Sequence, residues 1–219
     1  VELNALWYNA LKIMARLAEK YENKQLCRKY LEMAEKTKKS FAEKFYNAGK
    51  HCLYDVLGDS KVRPNQLFAL SLSHPIVDNA EIAEQVLSTV ENKLLNKYGL
   101  KTLSSDEDGY VDVYEGSAYK RDSSYHQGIT WPWLLGLYYD ALKNTMIIEK
   151  NRTKRQELEE KITKLVYTTK ETFKAEMFER SSIGTISEIY DSTEPYEERG
   201  AFAQAWSVAE IFRIVLNKR

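Results

Sequence analysis

Two kinds of helical pattern alternate along this chain, and the alternation constrains the fold more than any other feature. Residues 24–46 place Leu26, Tyr30, Ala34, Phe41 and Phe45 on one face, with Lys and Glu elsewhere. Residues 78–96 repeat this with Ile82, Val86, Val90 and Leu94 at i+4 spacing, and residues 154–175 with Leu158, Ile162, Leu165, Val166, Thr169 and Phe173. Each reads as an amphipathic helix with one wet face. The segments between them, 1–18, 64–73, 129–143 and 200–216, are apolar nearly all round. A helix of that kind is covered on all sides. The order predicts two concentric layers, inner helices sheathed by outer ones. A solenoid of helix pairs would instead show an even repeat of about 34–47 residues, whereas the apolar segments begin near 1, 64, 129 and 200. The expectation is an all-α chain of about seven helices, part of an α/α toroid, with a short β-like excursion near 184–190.

The helical pattern is already running at Leu3 and Leu6, with no basic leader and no Ser, Thr, Asp or Asn cap before it. Residues 1–219 therefore read as the C-terminal portion of a single domain whose other helices lie upstream of Val1. Inner helices lacking those partners would expose contiguous apolar surface and favour self-association.

Charge and cysteine content exclude some functions. The 32 basic and 32 acidic residues balance, with no block of either sign, so the basic stripe of a nucleic-acid binder is missing. The longest apolar runs fall short of the roughly 18 residues that suggest a membrane span. Cys27 and Cys52 have no metal-like spacing and read as free thiols of a reducing cytoplasm. No metal or cofactor is expected. The 15 Tyr and 4 Trp are mostly core, but such rings also form the platforms on which sugars stack.

The links leading into the apolar helices hold the unusual chemistry: VRPNQ at 62–66, RDSSYHQGITWPW at 121–133 and GTISEIYDSTEPYEERGAFAQAW at 184–206. In a toroid these links meet around a central pit. They would bring together Arg63, Asn65 and Gln66; Tyr125, His126, Gln127, Trp131 and Trp133; and Glu188, Gln204 and Trp206. Rings stack on the apolar face of a sugar while amides and acids take its hydroxyls. Pro64 and Pro132 read as first-turn residues. Trp131 and Trp133 cannot both face one way, so at least one is core. His126 taken alone reads as structural, and the acidic loop at 106–108 as solvated. Glu188 lies in the β-prone stretch 185–190 after Gly184, where apolar neighbours on both sides would desolvate a carboxylate, as catalytic carboxyls often need. Asp191 and Glu194 follow closely, and spacing alone does not separate them from it.

The strings VELNALWYNAL, RPNQLFALSL, GLKTLS, YHQGITWPWLLGLYYDAL, GTISEIYD and RGAFAQAWSVAEIFR together resemble the amylo-α-1,6-glucosidase domain of glycogen debranching enzymes, from Val1 to nearly the last residue. The resemblance implies an (α/α)6 barrel of glucoamylase-like type and inverting hydrolysis that frees glucose from an α-1,6 branch stub. The family's general base lies in the motif matching ISEIYD, which makes it Glu188. Its general acid is an aspartate in a Trp-Met-Asp segment, which would lie upstream of Val1; Glu2 is nearest, but the pattern does not make it the acid. Glu2, Asn4 and Trp7, in the VELNALW string, join the substrate-binding candidates. One departure is the serine after Asp191, where the family commonly has glycine. The expected partner is glycogen or a branched oligosaccharide. The other readings are a trehalase-like or glucosidase-I-like toroid enzyme, or a non-catalytic helical scaffold binding glycan or protein.

Overall fold

A computed structural model describes residues 1–180 and 183–216. All seven expected helical segments form: α1 (Glu2–Lys20), α2 (Lys24–Phe45), a 3-10 turn (Pro64–Leu67) running into α3 (Phe68–Ser71), α4 (Ala80–Lys93), and, after the short α5 (Ala118–Ser124), α6 (Leu134–Ile148), α7 (Arg152–Glu179) and α8 (Ala205–Leu216). Helix α5 carries no apolar period, and the sequence does not announce it.

Asparagine opens each outer helix. Asn23 Oδ1 accepts the Leu26 N–H at 3.0 Å, Asn79 Oδ1 that of Ile82 at 3.1 Å, and Asn151 Oδ1 those of Thr153 and Lys154 at 2.9 and 3.2 Å. These satisfy amide donors that a helix leaves open. The inner helices are consecutive neighbours, α1 against α3, α3 against α6 and α6 against α8, while α2 covers α1, α4 covers α6, and α7 covers α6 and α8. This is an arc of an α/α toroid.

Helix α6 is apolar all round and buried nearly all round, from Leu134 and Leu135 through Tyr138, Tyr139 and Leu142 to Thr145. Its crossing with α8 is close: a Cβ on Gly136 would meet the Glu210 carboxylate and the Arg213 guanidinium. Arg213 also grips both Asp140 oxygens at 2.9 Å. The same burial was expected of 1–18 and 200–216 and is not found. Helix α1 exposes Leu3, Leu6, Trp7, Ile13, Met14 and Leu17, and the α8 segment exposes Phe202, Trp206, Phe212 and Leu216. Both helices pack on one side only among the described residues, so half of each apolar surface stays open.

A second departure is β-structure. Beyond the hairpin of β1 (Tyr46–Asn47) with β2 (Cys52–Leu53), five very short strands form one antiparallel sheet in chain order. They are β3 (Leu95–Asn96), β4 (Gly99–Lys101), β5 (Thr130–Trp131), β6 (Ile189–Tyr190) and β7 (Glu198–Arg199). The sheet stitches the inner-helix links together at one end of the arc, through Leu100 opposite Trp131, Thr130 opposite Tyr190 and Ile189 opposite Arg199. Strand β5 also delays α6, so that the helix begins at Leu134 rather than near residue 129. The acidic loop is less solvated than expected: Glu107 accepts the Val62 N–H at 3.1 Å and the Lys50 ammonium at 2.7 Å. Cys27 and Cys52 are free thiols. Among the described residues no helix is long and apolar enough to cross a membrane.

Candidate active site

Glu188 stands at the start of the β6–β7 ribbon, half-buried. Its backbone N–H donates to Ala201 O at 2.9 Å and its Oε2 accepts the Ala201 N–H at 3.0 Å. Its Oε1 accepts the Tyr125 hydroxyl at 2.6 Å and the Gln204 amide at 3.1 Å. Three donors from two links thus aim one carboxylate. Gly200 permits this closeness: at φ 71° it occupies the left-handed region, and a Cβ there would collide with Glu188 Oε2. Burial, then the bond to Glu188, push the Tyr125 hydroxyl well above its usual range, so it remains a donor.

Aromatic rings continue from this carboxylate. Tyr125 lies 5.7 Å from Tyr114 and 4.7 Å from Trp131, His126 is stacked on Trp131 at 5.4 Å, and Trp206 packs edge-on to Trp131 and face-to-face with Trp133. Trp131 is the core member of the tryptophan pair: it is buried, and its indole N–H reaches Tyr125 O at 3.2 Å. Trp206 is 45% exposed and offers a ring face to solvent. Partial burial, and then Arg63, hold the His126 imidazole below its ordinary value. An open hollow of about 460 Å³ is lined by Tyr114, Glu115, Gly116, Arg121, Arg199 and Gly200, and Gly200 is the lining residue that adjoins the Glu188 carboxylate.

Arg63 joins the 62–66 link to this cluster, donating to His126 O at 2.8 Å, Thr102 O at 3.2 Å and Gln127 Oε1 at 3.0 Å. Asn65 donates to Asp55 Oδ1 at 3.1 Å. Asp55 is held above the usual carboxylate range by burial, against the pull of Asn65, and Glu2 adds to the effect. Gln66 is buried, and both ends of its amide are used, by the Leu53 N–H and Arg63 O; it braces the link. The polar track therefore runs from Glu188 through Tyr125, Gln127 and Arg63 to Asn65, Asp55 and Glu2. Asn4 and Trp7 lie exposed on α1, and no hydrogen bond or ring contact among the described residues ties them to that track.

The other two acids near Glu188 sit differently. Asp191 is buried, takes Arg199 Nε and Nη2 at 3.1 and 2.8 Å on one oxygen and the Tyr114 N–H at 2.8 Å on the other. Both oxygens are engaged, one of them by a two-pronged arginine ion pair, as in a structural carboxylate. Glu194 is exposed. Nothing in the sequence pattern singles out Tyr114, Gly200 or Asp55; Gly200, directly before the AFAQAW segment, is the one that a turn signal could mark.

A family model described as amylo-alpha-1,6-glucosidase matches residues 1–213. Among solved structures, a sialidase superposes with a TM-score of 0.70 at 13% identity, over 95% of this chain and 19% of that one. Neutral trehalase Nth1 from Saccharomyces cerevisiae superposes with a TM-score of 0.67 at 14% identity, over 99% and 37%. At such identities the likeness establishes the fold, and this chain spans between about a fifth and two fifths of those structures.

Proposed function

The chain belongs to the amylo-alpha-1,6-glucosidase family, and from that premise we propose that it is the C-terminal portion of one (α/α)6 catalytic domain that removes α-1,6 branch stubs from glycogen. Glu188 is the general base. The observation that carries this reading is the aimed, half-buried Glu188 carboxylate between the Tyr125 hydroxyl, the Gln204 amide and an aromatic wall.

An inverting glycosidase uses two carboxyls about 6.5–9.5 Å apart, one protonating the leaving oxygen and one activating water on the opposite face of the sugar. Glu188 takes the proton of that water as its oxygen attacks the anomeric carbon. The Tyr125 and Gln204 donors fix the carboxylate's direction and leave a lone pair free for the water. The acid is an aspartate upstream of Val1. Trp206 stacks on the glucosyl ring, and Arg63, Asn65, Gln127, Glu2, Asn4 and Trp7 line the path of the branched chain. Free thiols suit a reducing cytoplasm, where the glycogen substrate lies.

Proton NMR on fresh product settles the chemistry. The full-length enzyme acting on a branched limit dextrin should release glucose that appears first as the β-anomer. First appearance of the α-anomer would overturn the inverting mechanism. Release from trehalose but not from the dextrin would overturn the substrate.

A further inference from the structure

The seam between α6 and α8 carries a polar network that the hydrolysis does not use. Arg213 Nη1 and Nη2 each donate to one oxygen of Asp140 at 2.9 Å. Its Nε and Nη2 donate to Glu210 Oε2 at 3.0 and 2.6 Å, and Nη2 also reaches Gly136 O at 3.2 Å. Glu210 lies over Gly136 so closely that a Cβ there would collide with its carboxylate. The three charged side chains are between 28% and 36% exposed. At that exposure water screens the charges, and what the two-pronged pair supplies above all is orientation.

The network continues the aromatic wall down the two helices. Trp206 is stacked on Trp133 at 5.2 Å, Glu210 meets Gly136, and Arg213 meets Asp140. The steps are three and then four residues on α6, four and then three on α8, the spacing that keeps side chains on one stripe of a helix. Ring stack, close approach and guanidinium clamp are therefore three successive rungs of one parallel helix–helix contact. At its start α8 is moored to the ribbon, where the Gln204 N–H donates to Ile186 O at 3.0 Å and the Gln204 amide to Glu188 Oε1 at 3.1 Å. Further along, α8 packs on α6 and α7 and leaves Phe212 and Leu216 exposed. We propose that Arg213 is a positioning residue. Its grip on Asp140 fixes the rotation of α8 on α6 that stands the Trp206 ring against Trp133, and so sets the face on which the sugar stacks. The clamp acts through Trp206, seven residues and about 10 Å of helix away.

The inference rests on the glucosidase reading, so the full-length enzyme is tested by kinetics and by a spectroscopic arm that needs no turnover. Arg213→Lys keeps the charge but loses the fork. Its KM for a limit dextrin should rise about three- to tenfold, the worth of a displaced aromatic stack. Because Gln204 is moored to the ribbon itself, kcat should change little. In a Trp206→Ala background the same substitution should raise KM no further, although substitutions that far apart ordinarily add. The circular-dichroism couplet of the stacked Trp133 and Trp206 indoles should shrink in Arg213→Lys toward its level in Trp206→Ala. Asp140→Asn weakens the clamp from the α6 side and should give the same pattern in smaller measure; it decides the matter where Arg213→Lys does not fold. A lowered melting temperature with KM and the couplet unmoved would reduce the clamp to a brace and overturn the positioning role. A KM rise of equal factor in the Trp206→Ala background would overturn the route through Trp206. If the wild type released no glucose, the glucosidase reading would fail, and the couplet would still decide whether the clamp places Trp206.

Discussion

The two ends of the polar track are built differently. At the Glu188 end, the chain supplies its own framework: a ladder rung, a tyrosine hydroxyl, a glutamine amide and a glycine shaped to the carboxylate. At the Glu2 end, Asp55 and Asn65 hold each other, but Asn4 and Trp7 look into solvent from a helix with one apolar face uncovered. The first end is a finished piece of machinery. The second is a surface whose geometry depends on what comes to lie against it. Substitutions at the first should therefore act on the chemical step, and those at the second on binding or association.

The largest effect belongs to Glu188→Gln in the full-length enzyme. The amide keeps the size but cannot accept a proton, and loss of a general base costs about 10²–10⁴ in rate. The fall should appear in kcat with KM nearly unchanged. Asp191→Asn is the contrast within the same ribbon. It weakens the Arg199 pair and should cost about 1–3 kcal/mol in stability while most turnover survives. If Asp191→Asn abolished turnover and Glu188→Gln spared it, the base would have to move along the loop.

Gly200→Ala comes next and tests whether the finished end is finished by shape. The added methyl meets Glu188 Oε2, and φ 71° is strained for alanine. Strain of that kind is worth about 1–3 kcal/mol. Where it displaces the carboxylate, kcat should drop by roughly tenfold per 1.4 kcal/mol. An unchanged kcat would show that the ribbon yields without moving Glu188. Trp7→Ala, at the open end, should leave kcat alone and raise KM a few-fold; steady-state kinetics on limit dextrin distinguish the two.

How legible each end was follows from the physics of its parts. Period-3.6 apolar spacing needs several turns to show, and α2, α4 and α7 have them; Asn23, Asn79 and Asn151 mark their starts. Strands of two or three residues have no period to read, which is why the five-stranded sheet was reduced to one β-like stretch. Glu188 stands out in the sequence through its apolar flanks and the ISEIYD string together, and the structure adds how its surroundings differ from those of Asp191, which meets Arg199 and the Tyr114 amide. That Glu176 and Glu198 share the Arg180 guanidinium is illegible in the sequence, because a helix and a strand bring them to it from positions 22 residues apart. Helix α1 misled in the other direction. Its composition says what surface it has, not whether anything covers it.

That last point gives the smallest expected effect. On α1, Ala5, Tyr8, Leu11, Ala15 and Ala18 are buried against α2 and α3, while Leu6 and Ile13 are 41% and 40% exposed on the other side. Substituting exposed residues away from special features changes stability by no more than about 0.5 kcal/mol. A contiguous apolar face nonetheless favours association. Residues 1–219 alone should therefore self-associate in sedimentation velocity, and Leu6→Gln with Ile13→Gln should lower the associated fraction with the melting temperature almost unmoved. If the general acid is supplied from outside residues 1–219, as proposed, these residues alone should also release no glucose. A monomer in the unsubstituted chain would show that the open face attracts nothing. A melting temperature lowered by the equivalent of several kcal/mol would show that Leu6 and Ile13 are core after all, and the contrast between the two ends of the track would lose its basis in α1.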